Sequence, residues 1–293
     1  MINQADLGLL DGFERALINQ RLHMVYQPKV SLADGRLKRV EALVRWDDPK
    51  LGPVPPSRFV PLAERHGLID QLTQWGLRTT LRQWIDWRAK GLDTCIAFNI
   101  SALSLEHLDF PDLVERMCRA LEVPTDRLVL ELTEGSTQPL IKLMDTLTRF
   151  RIKGIGLAMD DFGVGYSTLM QLRQLPFTEL KVDRFFVNDA VQSVDSQLIV
   201  CCTIELAHRM GLTVTAEGVE TIEQLGLMNA LGCDVVQGYF ISQPLDPDKL
   251  IPWQKAWKKR WPKLIAEANS KASPTIHADR IPLPGRAEVR IRN

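Results

Sequence analysis

The sequence contains no run of apolar residues that approaches the roughly 18 a membrane-spanning helix needs. It also lacks net charge: 36 Lys and Arg balance 36 Asp and Glu. That balance excludes a generally basic nucleic-acid coat and an acidic disordered tail. Residues 1–20 carry charges throughout and show no apolar stretch of the secretory type. Cysteine is scarce, at five, and the number is odd. Cys201 and Cys202 are adjacent and no C-x-x-C pair occurs, so neither a disulfide framework nor a thiolate metal site is indicated. We read the cysteines as reduced, core or near-core residues of a cytoplasmic protein. His23, His66, His107, His208 and His277 show no metal-ligand spacing. No internal repeat or low-complexity segment is present.

What remains is ordinary for a globular protein: 293 residues, 45% hydrophobic and 25% charged. A chain of this length buries a large core without covalent staples. Short β-branched or apolar segments at 22–30, 37–43, 94–99, 128–131, 155–160, 179–182, 212–216 and 234–237 read as strands. Helical patterns fall between them, at 68–90, 109–121, 138–150, 193–210 and 221–231. Strand alternating with helix argues for parallel βαβ units, and about eight strands in about 250 residues favour a closed barrel. The Asp34-Gly35 pair between the first two strands is a hairpin signal. The expected fold is therefore an α/β, modified TIM (β/α)8 barrel with an antiparallel first strand.

Residues 251–264 place Trp253, Trp257 and Trp261 on one helix face, with Lys255, Lys258, Lys259 and Arg260 largely elsewhere. The favoured reading is a closing helix whose Trp stripe packs on the barrel and whose basic face is solvated. A membrane-surface or partner-binding helix is the alternative; the shortness of the pattern and Pro262 weigh against it. The barrel is expected over residues 1–264, including a short N-terminal helix. Residues 265–293, mixing Ser, Pro, Gly and Arg without periodicity, read as a flexible tail.

The informative residues end the apolar runs. Glu41, Asn99, Glu131, Asp160 with Asp161, Lys181, Glu217 and Gln237 all sit at or near strand ends. In a parallel barrel those ends converge on one face, where chemistry is placed. Several carboxylates aimed into one mouth repel one another unless compensated, and a divalent cation is the obvious compensator. Carboxylate and amide oxygens without a His or Cys cluster suit Mg²⁺, Mn²⁺ or Ca²⁺. Adjacent Asp160 and Asp161 could bridge two ions, an arrangement common in phosphodiester hydrolysis. Taken singly, Glu131 or Glu217 is as readily a helix N-cap. Asp160-Asp161 followed by Phe162-Gly163-Val164-Gly165 is sharper, because the glycines permit a tight path beside a ligand. Lys181 could snorkel or pair with Asp183, or stabilise a phosphate.

Eight ordered blocks carry a resemblance. Glu41-Ala42-Leu43, continued by Val44-Arg45-Trp46, is joined by YQPKV, FNIS, LELTE, MDDFGVGYSTL, LKVDRFFV, TAEGVET and VQGYFISQPL. Together they resemble the EAL domain, a family of bacterial cyclic di-GMP phosphodiesterases, over roughly residues 9–261. The resemblance implies a βα barrel with an antiparallel first strand. It implies that Glu41, Asn99, Glu131 and Asp160 ligate a first metal, that Asp160 bridges to a second, and that Asp161 is its partner there. Lys181 would orient the attacking water, with Glu217 and Gln237 completing the site. Gln27, Leu43 and Arg45 would hold the dinucleotide, Arg45 by pairing with phosphate. Glu134 would pin the loop 161–167, which in the family supports metal binding and dimer contact. Asp183 and Glu220 would support the catalytic residues from behind.

The implied activity is hydrolysis of cyclic di-GMP to linear 5'-pGpG with two Mg²⁺ or Mn²⁺ ions per site, Ca²⁺ being expected to inhibit. A homodimer is expected, and neither direct nucleic-acid binding nor a transmembrane segment. The family's inactive members lose the first Glu, an Asp of the pair or the loop, and this chain keeps all three. A catalytically silent cyclic di-GMP receptor acting through protein contacts is the alternative, and a nucleotide-blind interaction protein of the same fold is a third reading. The segment before Gln27 is too short for a sensory or cyclase domain, so the chain reads as a stand-alone enzyme or as a piece of a longer protein.

Overall fold

The structure, a computed structural model, describes residues 4–19, 21–133, 140–163 and 169–272. Helix α1 (Gln4–Ile18) precedes a hairpin of β1 (Leu22–Ser31) and β2 (Leu37–Asp48), and β2 turns back into the short β3 (Gly52–Val54). Helices α2 (Pro56–Arg65) and α3 (Ile69–Ala89) lead to β4 (Cys95–Ile100). The alternation continues as α4 (Phe110–Ala120), β5 (Leu128–Thr133), α5 (Leu140–Ile152), β6 (Gly156–Phe162), α6 (Leu169–Gln174) and β7 (Glu179–Val182). Then come α7 (Arg184–Asp189), α8 (Val194–Arg209), β8 (Thr213–Ala216), α9 (Ile222–Ala230), β9 (Val235–Val236) and α10 (Leu250–Lys271).

The strands run in the order β1-β9-β8-β7-β6-β5-β4-β2-β3, and pairing of β1 with β2 closes eight of them into a barrel. β1 is antiparallel to both barrel neighbours, while the other barrel pairs are parallel. The hairpin signal accounts for this. Gly35 adopts φ +67° and its N–H donates to the Ser31 carbonyl at 2.8 Å, while Asp34 accepts from the Arg36 N–H at 3.0 Å. A turn this tight must return the chain antiparallel.

Side-chain alternation sets the interior. Residues directly opposite one another in a ladder share a face. Asn99, Glu131, Ala158 and Glu179 are opposed in turn across β4 to β7, as are Gln27, Glu41, Ala97 and Val129 across β1, β2, β4 and β5. Those residues line the lumen. The alternate positions, such as Val40, Phe98, Leu130, Leu157 and Leu180, join the main apolar core beneath the helices. Barrels of this type usually fill their interior with branched apolar side chains. Here the apolar part of the lumen shrinks to Ala97, Val129 and Ala158, and buried Lys29, Arg39, Glu41, Glu131, Glu179 and Lys181 take the rest. A second core joins α1 and α2 to the hairpin, where Phe13 meets Trp46 edge-on at 5.6 Å and stacks on Phe59 at 5.3 Å.

The Trp stripe packs inward as expected. Trp257 and Trp261 are buried, and the Trp257 indole N–H donates to the Gly35 carbonyl at 3.0 Å. A Cβ on Gly35 would lie 2.1 Å from Trp261 Cγ, so the turn and the closing helix fit only through glycine. Pro262 does not end α10, which passes the boundary expected at 264 and reaches Lys271. A helix-internal proline frees the carbonyl four residues earlier; Lys258 and Pro262 are both exposed, so water can serve it. Residues 273–293 of the expected tail lie outside the described residues. Helices α2, α6 and α7 carry no expectation from the sequence pattern, since two are six residues long and α2 holds Pro56 and Pro61. All five cysteines are free; Cys202 is exposed rather than in the core. No helix among the described residues is long and apolar enough to cross a membrane.

Candidate active site

Glu41 lies at the centre of the lumen's upper end. Its Oε1 accepts from Asn99 Nδ2 at 2.7 Å and its Oε2 from Gln237 Nε2 at 2.7 Å. Gln237 also donates to Gln27 Oε1 at 3.0 Å, and Gln27 Nε2 donates to the Ser242 carbonyl at 3.0 Å. Three strands are thus tied across the mouth by amides, which hydrogen-bond a carboxylate without adding charge. The Gln237 Oε1 is buried with no protein partner.

Lys181 is 1% exposed and stands among carboxylates. Its Nζ lies 2.6 Å from Glu217, 2.8 Å from Asp160, 2.8 Å from Glu131 and 4.0 Å from Glu41. It pairs there instead of snorkelling outward. Glu131, fully buried, presents its other oxygen to Lys29, which is fully buried as well. Lys29 Nζ is also 3.6 Å from Glu41. The compensation expected from a cation is therefore partly supplied by two lysines.

Asp160 and Asp161 are consecutive, and a regular strand would send them to opposite faces. The β6–β7 ladder shifts register between Met159 and Phe162, and Asp161 takes φ +54°, a left-handed conformation unusual for a non-glycine residue. A bulge of this kind re-aims one side chain. As a result, carboxylate oxygens of Asp160, Asp161 and Glu217 all fall within 4.8 Å of one another.

The cluster holds more negative charge than its lysines neutralise. Five carboxyls (Glu41, Glu131, Asp160, Asp161, Glu217) face two buried ammoniums. Burial, then the charges of Asp160 and Glu41, push the Glu217 carboxyl up to about 8 against the pull of Lys181. Burial and then Asp160 and Asp183 push Asp161 up to about 6. At Glu41 burial acts upward, but Lys181, Lys29 and the two amides outweigh it and hold the carboxyl at about 2. Lys181 is raised well above its ordinary range; burial opposes this, and Glu131, Glu217, Glu41 and Asp160 overcome it.

Two cavities meet at Leu43. The polar one, about 280 Å³, is lined by Gln27, Glu41, Asp160, Lys181, Glu217 and Gln237, with Glu220 on its wall. The other, about 370 Å³, is an apolar cleft between the hairpin, α2 and α3 that includes Arg45, Val60, Trp75 and Phe98. Arg45 is half-buried and its Nη1 donates to the Val44 carbonyl at 2.9 Å.

The structure thus gathers Gln27, Glu41, Asn99, Glu131, Asp160, Asp161, Lys181, Glu217 and Gln237 into one mouth and sets Leu43 and Arg45 beside it. Neither Glu131 nor Glu217 caps a helix. Asp183 does: it accepts from the Phe185 N–H at 2.8 Å as the N-cap of α7. It borders Asp161 and has no ion pair with Lys181. Glu220 shows no hydrogen bond from its side chain to the cluster; its backbone N–H donates to Gln224. Glu134 and residues 164–168 lie outside the described residues. Sequence reasoning passed over Lys29. Its signal was parity, two residues after Gln27 on the same strand face.

The fold and site define a closed βα barrel with one antiparallel strand, whose carboxylate-rich mouth surrounds a buried lysine beside an apolar cleft. The family model for the EAL domain matches residues 11–244, and the chain belongs to that family. It is 39% identical over 252 residues to the cyclic di-GMP phosphodiesterase PA2567 of Pseudomonas aeruginosa, a match covering 85% of this chain and 43% of the relative. It is 34% identical to the cyclic di-GMP phosphodiesterase RocR of the same organism, across 86% of this chain and 64% of RocR. The chain thus spans less than two thirds of the length of either. Among solved structures, the PaMucR phosphodiesterase in complex with c-di-GMP superposes with a TM-score of 0.79 at 37% identity, covering 83% of this chain and 99% of that one.

Proposed function

We propose that the chain hydrolyses one phosphodiester bond of cyclic di-GMP to linear 5'-pGpG, with two Mg²⁺ or Mn²⁺ ions held at the barrel mouth. The observation that carries this reading is the uncompensated carboxylate cluster around Lys181. All its donors are oxygens, its buried carboxyls outnumber its buried ammoniums, and Gln237 Oε1 is left without a partner. Such a set fits hard divalent ions. Glu41, Asn99, Glu131 and Asp160 would hold one ion, and Asp160 and Asp161 the other. Bound there, the ions supply water activation at neutral pH and neutralisation of phosphoryl charge.

The chain's own residues do the rest. Lys181 holds Glu131, Asp160 and Glu217 in register and keeps a positive charge at the cavity floor. Glu217 and Gln237 orient water from opposite walls. Arg45 pairs with a phosphate oxygen, and Gln27 and Leu43 position the ligand where the polar cavity opens into the apolar cleft. That cleft takes a purine ring, excluding water from the scissile bond. Glu134, Asp183 and Glu220 act on the loop and the wall around these groups. Ca²⁺ inhibits, since its larger and more variable coordination loosens the geometry.

The same reading includes a homodimer. Leu169 and Met170 of α6, Phe185 of α7, and Val194, Leu198 and Ile199 of α8 are exposed, and Phe185 shares a cavity with Asp161 and Glu217. Apolar side chains grouped this way mark an interaction surface.

The test is turnover of cyclic di-GMP by the purified protein with Mg²⁺ or Mn²⁺, with Ca²⁺ and with EDTA, read by chromatography. Metal-dependent pGpG is expected. Nucleotide binding without turnover would replace the enzyme with a receptor. Light scattering of the same sample reads the dimer.

A further inference from the structure

Lys29 has no role in the reading above, yet with Glu131 it is the most enclosed of the charged side chains of the mouth. It is fully buried, so no water can share its charge. Among the described residues two groups pair with it: Glu131 through Oε1, and Glu41 at 3.6 Å. Lys181 differs. It takes the other oxygen of Glu131, at 2.8 Å, but Asp160 and Glu217 lie just as near and can keep it if Glu131 turns away. The alternative for Lys29 is weaker: Glu41 stands at 3.6 Å, beyond hydrogen-bond distance, and is already held by Asn99 and Gln237. A buried ammonium stripped of its carboxylate is strongly unfavourable, so Lys29 stays on Glu131 whatever else binds.

We propose that Lys29 is a resident counter-cation of the mouth: it retains Oε1 of Glu131, leaves only Oε2 for an incoming divalent ion, and weakens the affinity of the site for such ions. The inference rests on the proposal that the mouth takes divalent metal. It assigns Lys29 as a positioning residue, acting through Glu131, and it predicts a change opposite to that of ordinary damage. Removing a lysine that merely props up the site loosens metal binding; removing a competing charge tightens it.

The experiment uses metal-stripped full-length protein and titrates Mn²⁺ by calorimetry. Lys29→Gln keeps a hydrogen-bond donor for Glu131 and removes the charge; Lys29→Arg keeps the charge. Lys29→Gln is expected to bind Mn²⁺ tenfold or more tightly than the wild type, and Lys29→Arg to match the wild type. An affinity in Lys29→Gln equal to or weaker than wild type overturns the inference while leaving the metal site standing. If wild type and both variants fail to bind Mn²⁺, the metal reading itself fails and this inference with it. Should metal-free Lys29→Gln be too unstable for titration at room temperature, the readout becomes the Mn²⁺-induced rise in Tm, taken from the melting transition of each metal-free protein at lower starting temperature. A rise larger than the wild type's supports the inference, and one equal or smaller overturns it.

Discussion

The two ends of the barrel lumen use the same residue types and differ in their balance. At the lower end, buried Arg39 donates to Glu179, whose other oxygen accepts from the Thr215 hydroxyl. One cation meets one anion, and both carboxylate oxygens are occupied. At the upper end five carboxyls surround two buried lysines, and two of the carboxyls are pushed well above their ordinary range. The lower end is a charge-balanced ion pair, in which the Arg39 Nε alone is buried without a partner. The upper end has charge left over, and that excess is what a cation or a transition state can use. Polar side chains inside a barrel therefore say little by kind; their stoichiometry separates a structural pair from a site.

Substitutions at the two ends should act in opposite ways. Removing Glu41 or Asp160 from the upper end takes away a donor, and removing Asp160 also relieves repulsion on Asp161 and Glu217. Glu41→Ala and Asp160→Ala are expected to lower kcat/KM by about 10⁴-fold, roughly 5 kcal/mol of transition-state stabilisation. The metal-free Tm of Asp160→Ala should equal or exceed the wild type's, because the charge of Asp160 pushes Asp161 and Glu217 up; that of Glu41→Ala should fall, because Lys181, Lys29 and two amides favour the ionised Glu41. A variant retaining full turnover would remove that residue from the site. At the lower end, Arg39→Met leaves Glu179 buried without its cation, and breaking such a pair costs about 3–5 kcal/mol of stability. Urea unfolding should show this loss, while turnover per folded molecule stays near wild type.

Occupancy sharpens the same contrast. Mn²⁺ at one hundred times its Kd should stabilise the wild type by about 2.7 kcal/mol. The gain should shrink sharply in Asp160→Ala and persist in Arg39→Met, which differential melts with Mn²⁺ and EDTA can read. Gly35→Ala tests the turn below the lower end, where α10 closes on the hairpin. The new methyl group would meet Trp261 at 2.1 Å on a backbone with φ +67°, so a loss of about 2 kcal/mol is expected. Activity per folded molecule should be unchanged, and a Tm equal to wild type would show that α10 can shift.

Much of this was legible before any coordinates. Asp34-Gly35 announced the antiparallel first pair, and the strands fell within a few residues of their expected positions. β2 ran longer than its pattern, to Asp48, because it continues beyond the barrel to pair with β3. The short helices α6 and α7 escaped because six residues hold less than two full helical turns. The closing helix runs past its expected boundary at 264, and it tolerates Pro262 because Lys258, whose carbonyl the proline frees, is exposed to water. The metal-type residues were legible as a set, since each ends an apolar run. Lys29 was not, because a lysine inside a strand looks like any half-exposed strand residue until its neighbours are known.

The sequence by itself determined the alternation of elements, the hairpin at the start, the family and the oxygen-rich chemistry at the strand ends. These depend on local pattern: side-chain period, turn residues and the order of short motifs. Only the tertiary structure decided which carboxylates share a lysine, that a bulge turns Asp161 back toward Asp160, and that Lys29 is sealed against Glu131. Those facts depend on distances between strands far apart in the chain. Charge acts through space, and its balance appears only when the barrel has closed.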